Sequence, residues 1–311
     1  MNKDLVFIVS GGRTGTTLFG DYFSNFVDDC FSVHEPDLIV ANDALKTLRN
    51  IRLFGIWHVV IGRLLNKTGS RIIGQKLIQE KISEEIAKEY ILKSRTSYFS
   101  SIKESLIIES NAQWWPFVTQ ICEVWPRSKV IIITRDPRSW VRSWMNKSGR
   151  YTKNDIVAML PPGRLTPRKV REEKWISSWK DFTTFEKLSW EWSFIYNYMD
   201  SSLDHEGNKK MFRFEDIFCR ESGAFDDLIE YATTHGRRVY PSHDLSDFKA
   251  TISNASAGST PSWREWTPNQ AATMDAICGP LMRKFGYGDE PEWQALIRSA
   301  DSNKGAISRR S

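Results

Sequence analysis

An apolar run that enters a glycine-rich turn is the feature that most constrains the fold of this chain. Leu5 to Val9 are consecutive apolar residues, and Ser10-Gly11-Gly12-Arg13-Thr14-Gly15-Thr16-Thr17 follows them directly. A strand, a glycine turn and hydroxyl residues that open a helix point backbone N–H groups at one spot, where the helix dipole also favours an anion. The segment therefore predicts an anion site at the end of the first strand of an α/β fold.

This loop departs from the version that binds ATP. The pattern G-x-x-x-x-G-K-[ST] would need glycine in place of Ser10 and lysine in place of Thr16. Without that lysine the loop is poorly suited to a β/γ-phosphate held on magnesium. Arg13, Thr14, Thr16 and Thr17 still offer donors to a terminal phosphate or sulfate. We therefore expect an anion other than ATP.

A second segment has the same strand-to-helix form. Lys129–Thr134 is rich in β-branched residues, as in a strand buried on both faces, and Arg135-Asp136-Pro137 follows it. Proline fits the first turn of a helix, so Asp136 is the expected cap and Ser143 lies about two turns further on.

Together the two segments resemble the sulfotransferases that use 3′-phosphoadenosine 5′-phosphosulfate. The resemblance implies their fold, a P-loop-type central parallel sheet flanked by helices, and a donor bound without a metal. It implies that Gly12 and the run Arg13-Thr14-Gly15-Thr16-Thr17 hold the 5′-phosphosulfate, with Arg13 at the leaving oxygen. It implies that Arg135 and Ser143 hold the 3′-phosphate.

The strand-like run Cys30–Val33 delivers two candidate bases, His34 and Glu35, to its carboxyl end, where ligands sit in open α/β sheets. Glu35 resembles the base of the carbohydrate and tyrosyl-protein branches of the family, so we assign it the proton transfer. Strand alternation predicts that only one of the two faces the donor. The alternatives are that His34 is the base, or that Glu35 merely caps the next helix.

Two segments depart from the family pattern. Pro261-Ser262 stands where the carboxyl-terminal loop of the family has a basic motif containing glycine, and Arg264 is the expected clamp on the 3′-phosphate there. Glu109-Ser110 stands where many members have a lysine near the sulfuryl group. Arg13 then acts alone, or Lys76 or another distant side chain substitutes.

The chain has 311 residues and a mass of 36.0 kDa, and no long linker interrupts it, which predicts one domain over residues 1–298. The small, polar residues that follow predict a flexible tail over 299–311. Helical crossovers between the strands predict a mostly parallel sheet. The predicted strands are 5–9, 30–34, 105–109, 129–134 and 209–214. The predicted helices are 16–27, 39–65, 80–100, 113–124, 137–147, 170–203, 223–235 and 268–285, and 148–169 is a predicted surface loop near the substrate.

Charge, the apolar run near the start and the cysteine content argue against several classes of protein. The net charge of +5 suits an anionic ligand, but no dense basic run indicates nucleic acid binding. The apolar run after Met1 is too short for a signal or a membrane span, so a cytoplasmic protein is expected. The four cysteines are widely spaced, which favours reduced thiols over a metal site or disulfides.

Ile51–Leu65 is apolar with two arginines, so it is either a buried helix or an interfacial, lipid-facing one.

The sequence thus predicts a sulfotransferase that acts on a hydroxyl of a small-molecule, glycan or lipid acceptor. A P-loop kinase and a non-catalytic nucleotide-binding protein are the alternatives. The acceptor and the oligomeric state stay open.

Overall fold

A computed structural model describes residues 3–38, 43–147, 149–203, 207–233 and 258–308. Its sheet has five parallel strands in the order β2-β3-β1-β4-β5. The strands are β1 Asp4–Val9, β2 Cys30–His34, β3 Leu106–Ser110, β4 Lys129–Thr134 and β5 Lys209–Arg213. The prediction of an α/β fold with a central parallel sheet is confirmed, and each predicted strand agrees within one residue at either end.

The sheet is buried on both faces because its strands are apolar at nearly every position. In β1, Leu5, Phe7 and Val9 belong to one hydrophobic cluster, whereas Val6 and Ile8 belong to a second one across the sheet. Continuous apolar runs of this kind are typical of parallel strands covered by helices on both sides. The result is three layers, with the sheet in the middle.

Fourteen α-helices surround the sheet in the described part of the chain. The first seven are α1 Thr16–Tyr22, α2 Ala44–Phe54, α3 Gly62–Leu64, α4 Ser70–Ile78, α5 Glu84–Ser101, α6 Val118–Val124 and α7 Pro137–Lys147. The others are α8 Ile156–Met159, α9 Glu173–Ile176, α10 Thr184–Ser201, α11 Phe214–Ile217, α12 Ala224–Ala232, α13 Pro268–Lys284 and α14 Pro291–Ser308.

Several predicted helix boundaries are wrong, for local reasons. The helix predicted over 39–65 ends at Phe54, because Gly55 takes a positive φ of 82°, and a π-helical turn, Trp57–Ile61, follows. The helix predicted over 170–203 is divided, since Thr183 forms a capping box that starts α10. Helix α4 was not predicted. Residues 39–42 and 234–235 of two predicted helices lie outside the described residues.

The predicted flexible tail, 299–311, overlaps the last helix. Helix α14 continues to Ser308, and Ala300 within it is fully buried. Residues 309–311 lie outside the described part, and the single domain over 1–298 stays a prediction.

The carboxyl ends of all five strands meet at one edge of the sheet, because the strands are parallel. The pairings His34 with Ser110 and Thr134 with Arg213 place these strand ends side by side. Helix α1 lies against the end of β2 at Gly20, where a Cβ atom would come within 2.5 Å of the His34 backbone nitrogen. The anion loop and the two candidate bases therefore share this edge.

A buried ion cluster supports the end of β2. Arg95 of α5 donates to both carboxylate oxygens of Glu109, at 2.7 and 2.8 Å, and to Asp37 at 3.2 Å. His58 and Arg63 contact the other oxygen of Asp37 at 2.7 and 2.9 Å. Arg95, Glu109 and Asp37 are fully buried, so each charge depends on its partners. Burial by itself would raise the pKa of the Asp37 carboxyl, but Arg95, the hydrogen bond with His58 and Arg63 hold that pKa well below its ordinary range.

Replacement of Arg95 tests this support. Arg95→Met leaves two buried carboxylates short of their main cation, so we expect the free energy of unfolding to fall by about 3–5 kcal/mol. Urea unfolding followed by circular dichroism measures it. Arg171→Met is the matched control, because Arg171 and Glu80 form an exposed pair that should change stability little. Equal small losses in both variants would contradict a supporting role for the cluster.

Candidate active site

A cavity of about 690 Å³ opens at the carboxyl edge of the sheet. Its walls include nine of the predicted site residues, which come from the first two strand ends, the end of β4 and α7. They are Gly12, Arg13, Gly15, Thr16, Thr17, His34, Glu35, Arg135 and Ser143. The volume lies in the range of small-molecule sites.

The loop after β1 needs glycine at two positions. Gly12 and Gly15 have φ values of 81° and 73°, and Arg13 between them has 58°, which is uncommon for a residue with a side chain. Gly15 caps α1 from this left-handed conformation. The strained backbone at Arg13 is the kind of feature that clusters at functional sites.

Side chains from two helices hold the loop in this shape. Trp140 of α7 donates from Nε1 to the Gly12 carbonyl at 2.8 Å. Tyr196 of α10 donates to the Ile133 carbonyl at 2.9 Å and accepts the Gly11 N–H at 3.3 Å. Both aromatic side chains are fully buried. They therefore tie the loop to α7, α10 and β4.

Ser10 stabilises the loop from inside. Its hydroxyl accepts the Gly12 N–H at 3.0 Å and the Thr14 hydroxyl at 2.7 Å. Thr14 is fully buried, and its hydroxyl is directed at Ser10. Ser10, one of the two residues that depart from the ATP-binding pattern, thus has a structural role. Thr14 lies outside the cavity wall, unlike the other predicted donors of this loop.

The two sequence motifs meet at Arg13. Its Nε donates to the Ser143 hydroxyl at 2.8 Å, and Arg135 donates to its carbonyl at 2.6 Å. Arg13 and Ser143 are 130 residues apart in the chain. Helix α7 begins as expected, since the Asp136 carboxylate accepts the Arg138 N–H at 2.8 Å. The strand-to-helix turn after β4 therefore brings both predicted phosphate residues to the loop after β1.

Arg135 is oriented toward the cavity. Asp136 binds Arg138 and Glu109 binds Arg95, so neither carboxylate takes the structural pairing with Arg135 that the sequence also allowed. Burial lowers the pKa of Arg135, with Glu215 the nearest opposing charge.

Two buried donors in the cavity wall have no hydrogen-bond partner. Within the described residues, these are Nε of Arg135 and Nε1 of Trp144, and both residues line the cavity. Buried donors of this kind are rare in proteins and usually mark a site that an absent ligand or water completes. The walls therefore fit an anion that accepts hydrogen bonds.

Both candidate bases line the cavity. The expectation that only one of them faces it is wrong, because β2 ends at His34 and Glu35 turns into the left-handed region, with φ 41°. His34 Nδ1 lies 3.0 Å from the Ser110 carbonyl, and its Nε2 lies 3.7 Å from a Glu35 carboxylate oxygen.

Burial raises the pKa of the Glu35 carboxyl, and His34 opposes this shift. A carboxylate with a raised pKa has the property that a general base needs.

Two residues considered from the sequence lie elsewhere. Arg264 is exposed, stacks on Trp263 at 4.5 Å and is not in the cavity wall. Lys76 donates to the Asn66 carbonyl at 2.6 Å, and it too lies outside the cavity wall. Glu109, at the position of the family lysine, belongs to the buried ion cluster.

The cavity wall also carries basic side chains that no sequence motif indicated. Arg150 binds Glu191, Arg164 binds Asp155, and Arg71 donates to the Gly163 carbonyl. Burial and the two neighbouring arginines lower the pKa of Arg71 to about 10. Lys147 also lines the cavity, whose walls carry six basic and three acidic side chains among the described residues. Arg164 and Leu165 confirm that the predicted loop 148–169 borders this cavity.

The remaining sequence expectations concern metals, membranes and aromatic packing. The described residues contain no cluster of three or more potential metal ligands and no helix long and apolar enough to cross a membrane. Three cysteines are buried, and Cys219 is exposed. Several tryptophans pack against one another, as in the contact of the Trp179 and Trp190 rings at 5.0 Å.

A sequence profile described as a sulfotransferase domain matches residues 75–171. This range includes Arg135, Ser143 and the loop 148–169, and it begins after the loop at Gly12 and after Glu35. The match confirms the resemblance to sulfotransferases and supports sulfuryl transfer as the general reaction. No curated protein matches the chain.

Three solved sulfotransferases are among the structures that this chain resembles. One from Alicyclobacillus acidocaldarius is 13% identical, with 93% of this chain and 98% of that one covered and a TM-score of 0.42. A mouse sulfotransferase complexed with PAP is 14% identical, with 96% and 89% covered and a TM-score of 0.46. One from Mycobacterium tuberculosis is 11% identical, with 90% and 77% covered and a TM-score of 0.46.

The raised pKa of Glu35 predicts how stability depends on pH. The folded state favours the protonated carboxyl, so ionised Glu35 costs stability at pH values above its folded pKa. We expect Glu35→Gln to raise the free energy of unfolding at about pH 8, and this gain to shrink as the pH falls toward about 4.3, the ordinary value for glutamate. Urea unfolding at both pH values measures the difference, with Glu230→Gln on the exposed side of α12 as the control. A gain that grows on acidification would contradict the shift.

Proposed function

We propose that this protein transfers a sulfuryl group from 3′-phosphoadenosine 5′-phosphosulfate to a hydroxyl of a carbohydrate, lipid or secondary metabolite. The observation that carries the proposal is the meeting of Arg13, Arg135 and Ser143 in one cavity, where Arg135 keeps a buried donor without a partner. The sulfotransferase profile over residues 75–171 supports the same reaction class.

In this proposal the two sequence motifs hold the two phosphate ends of the donor. The backbone N–H groups of the loop, with Thr16 and Thr17 at the start of α1, would hold the 5′-phosphate. Arg135 and Ser143 would hold the 3′-phosphate through charge-assisted and hydroxyl hydrogen bonds. Phe214 lines the cavity beside the loop, and the Arg135 guanidinium lies over its ring at 4.6 Å. The exposed Arg264 would reach the nucleotide only after a change of conformation.

The chemical step is an in-line displacement at sulfur. The acceptor oxygen forms a bond to sulfur, the bond from sulfur to the 5′-phosphate oxygen breaks, and Glu35 takes the acceptor proton. Adenosine 3′,5′-bisphosphate leaves with the electron pair of the broken bond. Arg13 stabilises the charge that develops on the leaving oxygen, as positioned cations do in phosphoryl transfer.

The acceptor would enter between the loop 148–169 and the end of β3. Trp115, Val157 and Leu165 give this end apolar walls, and Arg71 and Arg150 add positive charge. Such walls suit an acceptor that presents a hydroxyl on a partly apolar framework. Arg71 or Lys147 could take the role of the lysine that Glu109 replaces.

Binding of the product nucleotide tests the donor site. We expect adenosine 3′,5′-bisphosphate to bind more tightly than 5′-AMP in metal-free buffer, because only the bisphosphate has the 3′-phosphate. Arg135→Ala should weaken the bisphosphate about tenfold or more and leave 5′-AMP almost unchanged, as expected for one charge-assisted contact. Isothermal titration calorimetry measures both ligands.

Arg127→Ala is the matched control, because Arg127 precedes β4 at the opposite edge of the sheet and its side chain is 75% exposed. Equal losses for both ligands in Arg135→Ala would contradict its assignment to the 3′-phosphate. Tighter binding of ATP with magnesium than of the bisphosphate would instead favour a kinase.

Two substitutions separate the roles in the chemical step once an acceptor is found. Glu35→Gln should keep donor binding and lower kcat by about 10²–10⁴, the usual range for a general base. Arg13→Ala should damage both donor binding and kcat, because Arg13 contacts the donor before and during the reaction. If His34→Ala is inactive with donor binding intact while Glu35→Gln is nearly normal, the base is His34. No turnover with any acceptor would indicate a nucleotide-binding protein without catalysis.

A further inference from the structure

The segment Ala44–Leu65 exposes an unusual amount of apolar surface. Leu45, Leu48 and Leu64 are 80%, 61% and 70% exposed, and Trp57 is 48% exposed. Leu53, Ile56, Ile61 and Leu65 are exposed as well. The first of the two alternatives for Ile51–Leu65, a buried helix, is therefore wrong, and the interfacial alternative agrees with the exposure. A contiguous apolar surface of this kind marks an interaction site in a soluble protein.

Basic side chains accompany this apolar surface. Lys46, Arg49 and Arg52 are exposed on α2, and Lys67 is exposed just after the segment. The sequence has seven lysines and arginines and no aspartate or glutamate from Ala44 to Gln79. The outward side of the segment thus carries both apolar and basic side chains, with the exposed Asp43 just before it.

The inner side of the segment is anchored, and this fixes which side faces outward. Asn50 donates to the Leu38 carbonyl at 2.8 Å. His58 and Arg63 contact the buried carboxylate of Asp37. Because Arg63 is held there, the outward charge comes from the other basic residues. The leucines and Trp57 remain exposed while these anchors hold.

Trp57, Ile61, Leu64 and Leu65 follow the i, i+4, i+7, i+8 spacing of a single helical face. Tryptophan and leucine on one face with lysine and arginine beside it are typical of helices that lie in a membrane interface. A symmetric dimer through this surface would bring two positive surfaces together, so charge disfavours a second copy. An anionic lipid surface complements both the apolar and the basic side chains.

We propose that Ala44–Leu65 docks this protein on the surface of an anionic lipid bilayer, with the leucines and Trp57 inserted at the headgroup level. The segment lies on the bilayer and does not cross it. Asp37 joins it to the strand end that carries Glu35, so docking places the cavity close to the membrane. This inference does not depend on the proposed sulfuryl transfer, since neither the surface nor its test involves the donor.

Vesicle binding of the full chain tests the proposal. We expect it to co-sediment with vesicles of phosphatidylglycerol and phosphatidylcholine, to bind pure phosphatidylcholine far more weakly, and to be released as salt rises from about 0.1 M to about 1 M. The triple substitution Leu48→Ser, Leu64→Ser and Leu65→Ser should lower the partition constant at least about tenfold. Arg49→Glu with Arg52→Glu should reduce binding to the anionic vesicles in particular.

The matched control is the triple substitution Ile156→Ser, Met159→Ser and Leu160→Ser, because these side chains are equally exposed on another part of the surface. It should leave vesicle binding unchanged. Equal binding to neutral and anionic vesicles, equal loss in both triple variants, or no binding by the wild-type chain would overturn the proposal. A wild-type dimer that the leucine variant converts to a monomer would show that a second copy covers the surface, and would overturn it too.

Discussion

The position of β1 between β3 and β4 determines where the groups of the candidate site lie. Because all three strands run in the same direction, the loop after β1 lies beside the end of β3 on one side and the end of β4 on the other. Arg135, which directly follows β4, therefore reaches the Arg13 carbonyl, and α7 brings Ser143 to the Arg13 side chain. Beyond β3, the end of β2 supplies His34 and Glu35.

Arginines lie both below the strand ends and in the cavity wall above them, and their surroundings differ. Below the strand ends, Arg95 is surrounded by Glu109 and Asp37, so its charge is satisfied within the protein. In the cavity above, Arg13 donates to the Ser143 hydroxyl and Arg135 donates to the Arg13 carbonyl. These contacts orient the two guanidinium groups in the cavity wall. Both groups carry positive charge, which suits an anionic ligand, and burial makes that charge more effective.

The sequence predicted the strands and the anion loop well because both depend on local patterns. Val130 to Ile133 could hardly form anything but a buried strand, and Gly12 and Gly15 are the residues that the positive φ values require. Trp140 and Tyr196 hold the loop through hydrogen bonds, a role that nothing in the sequence indicated. Their partners are distant backbone groups, which no local pattern reveals.

Other features depended on three-dimensional context. The side on which Glu35 points follows from a single left-handed residue at the end of β2, where strand alternation no longer applies. The exposure of Ala44–Leu65 could not be predicted from its composition, since an apolar segment is usually buried. Arg71 belongs to no recognisable sequence motif. It reaches the cavity wall because α4 packs beside the loop 148–169.

A crystal structure with adenosine 3′,5′-bisphosphate would show whether the cavity holds the nucleotide as proposed. We expect the 3′-phosphate within hydrogen-bond distance of Arg135 and Ser143, and the 5′-phosphate on the backbone N–H groups between Gly12 and Thr17. We also expect Glu35 to face the open side of the 5′-phosphate, where an acceptor would stand. A nucleotide bound in the reverse orientation, or bound outside this cavity, would contradict the proposal.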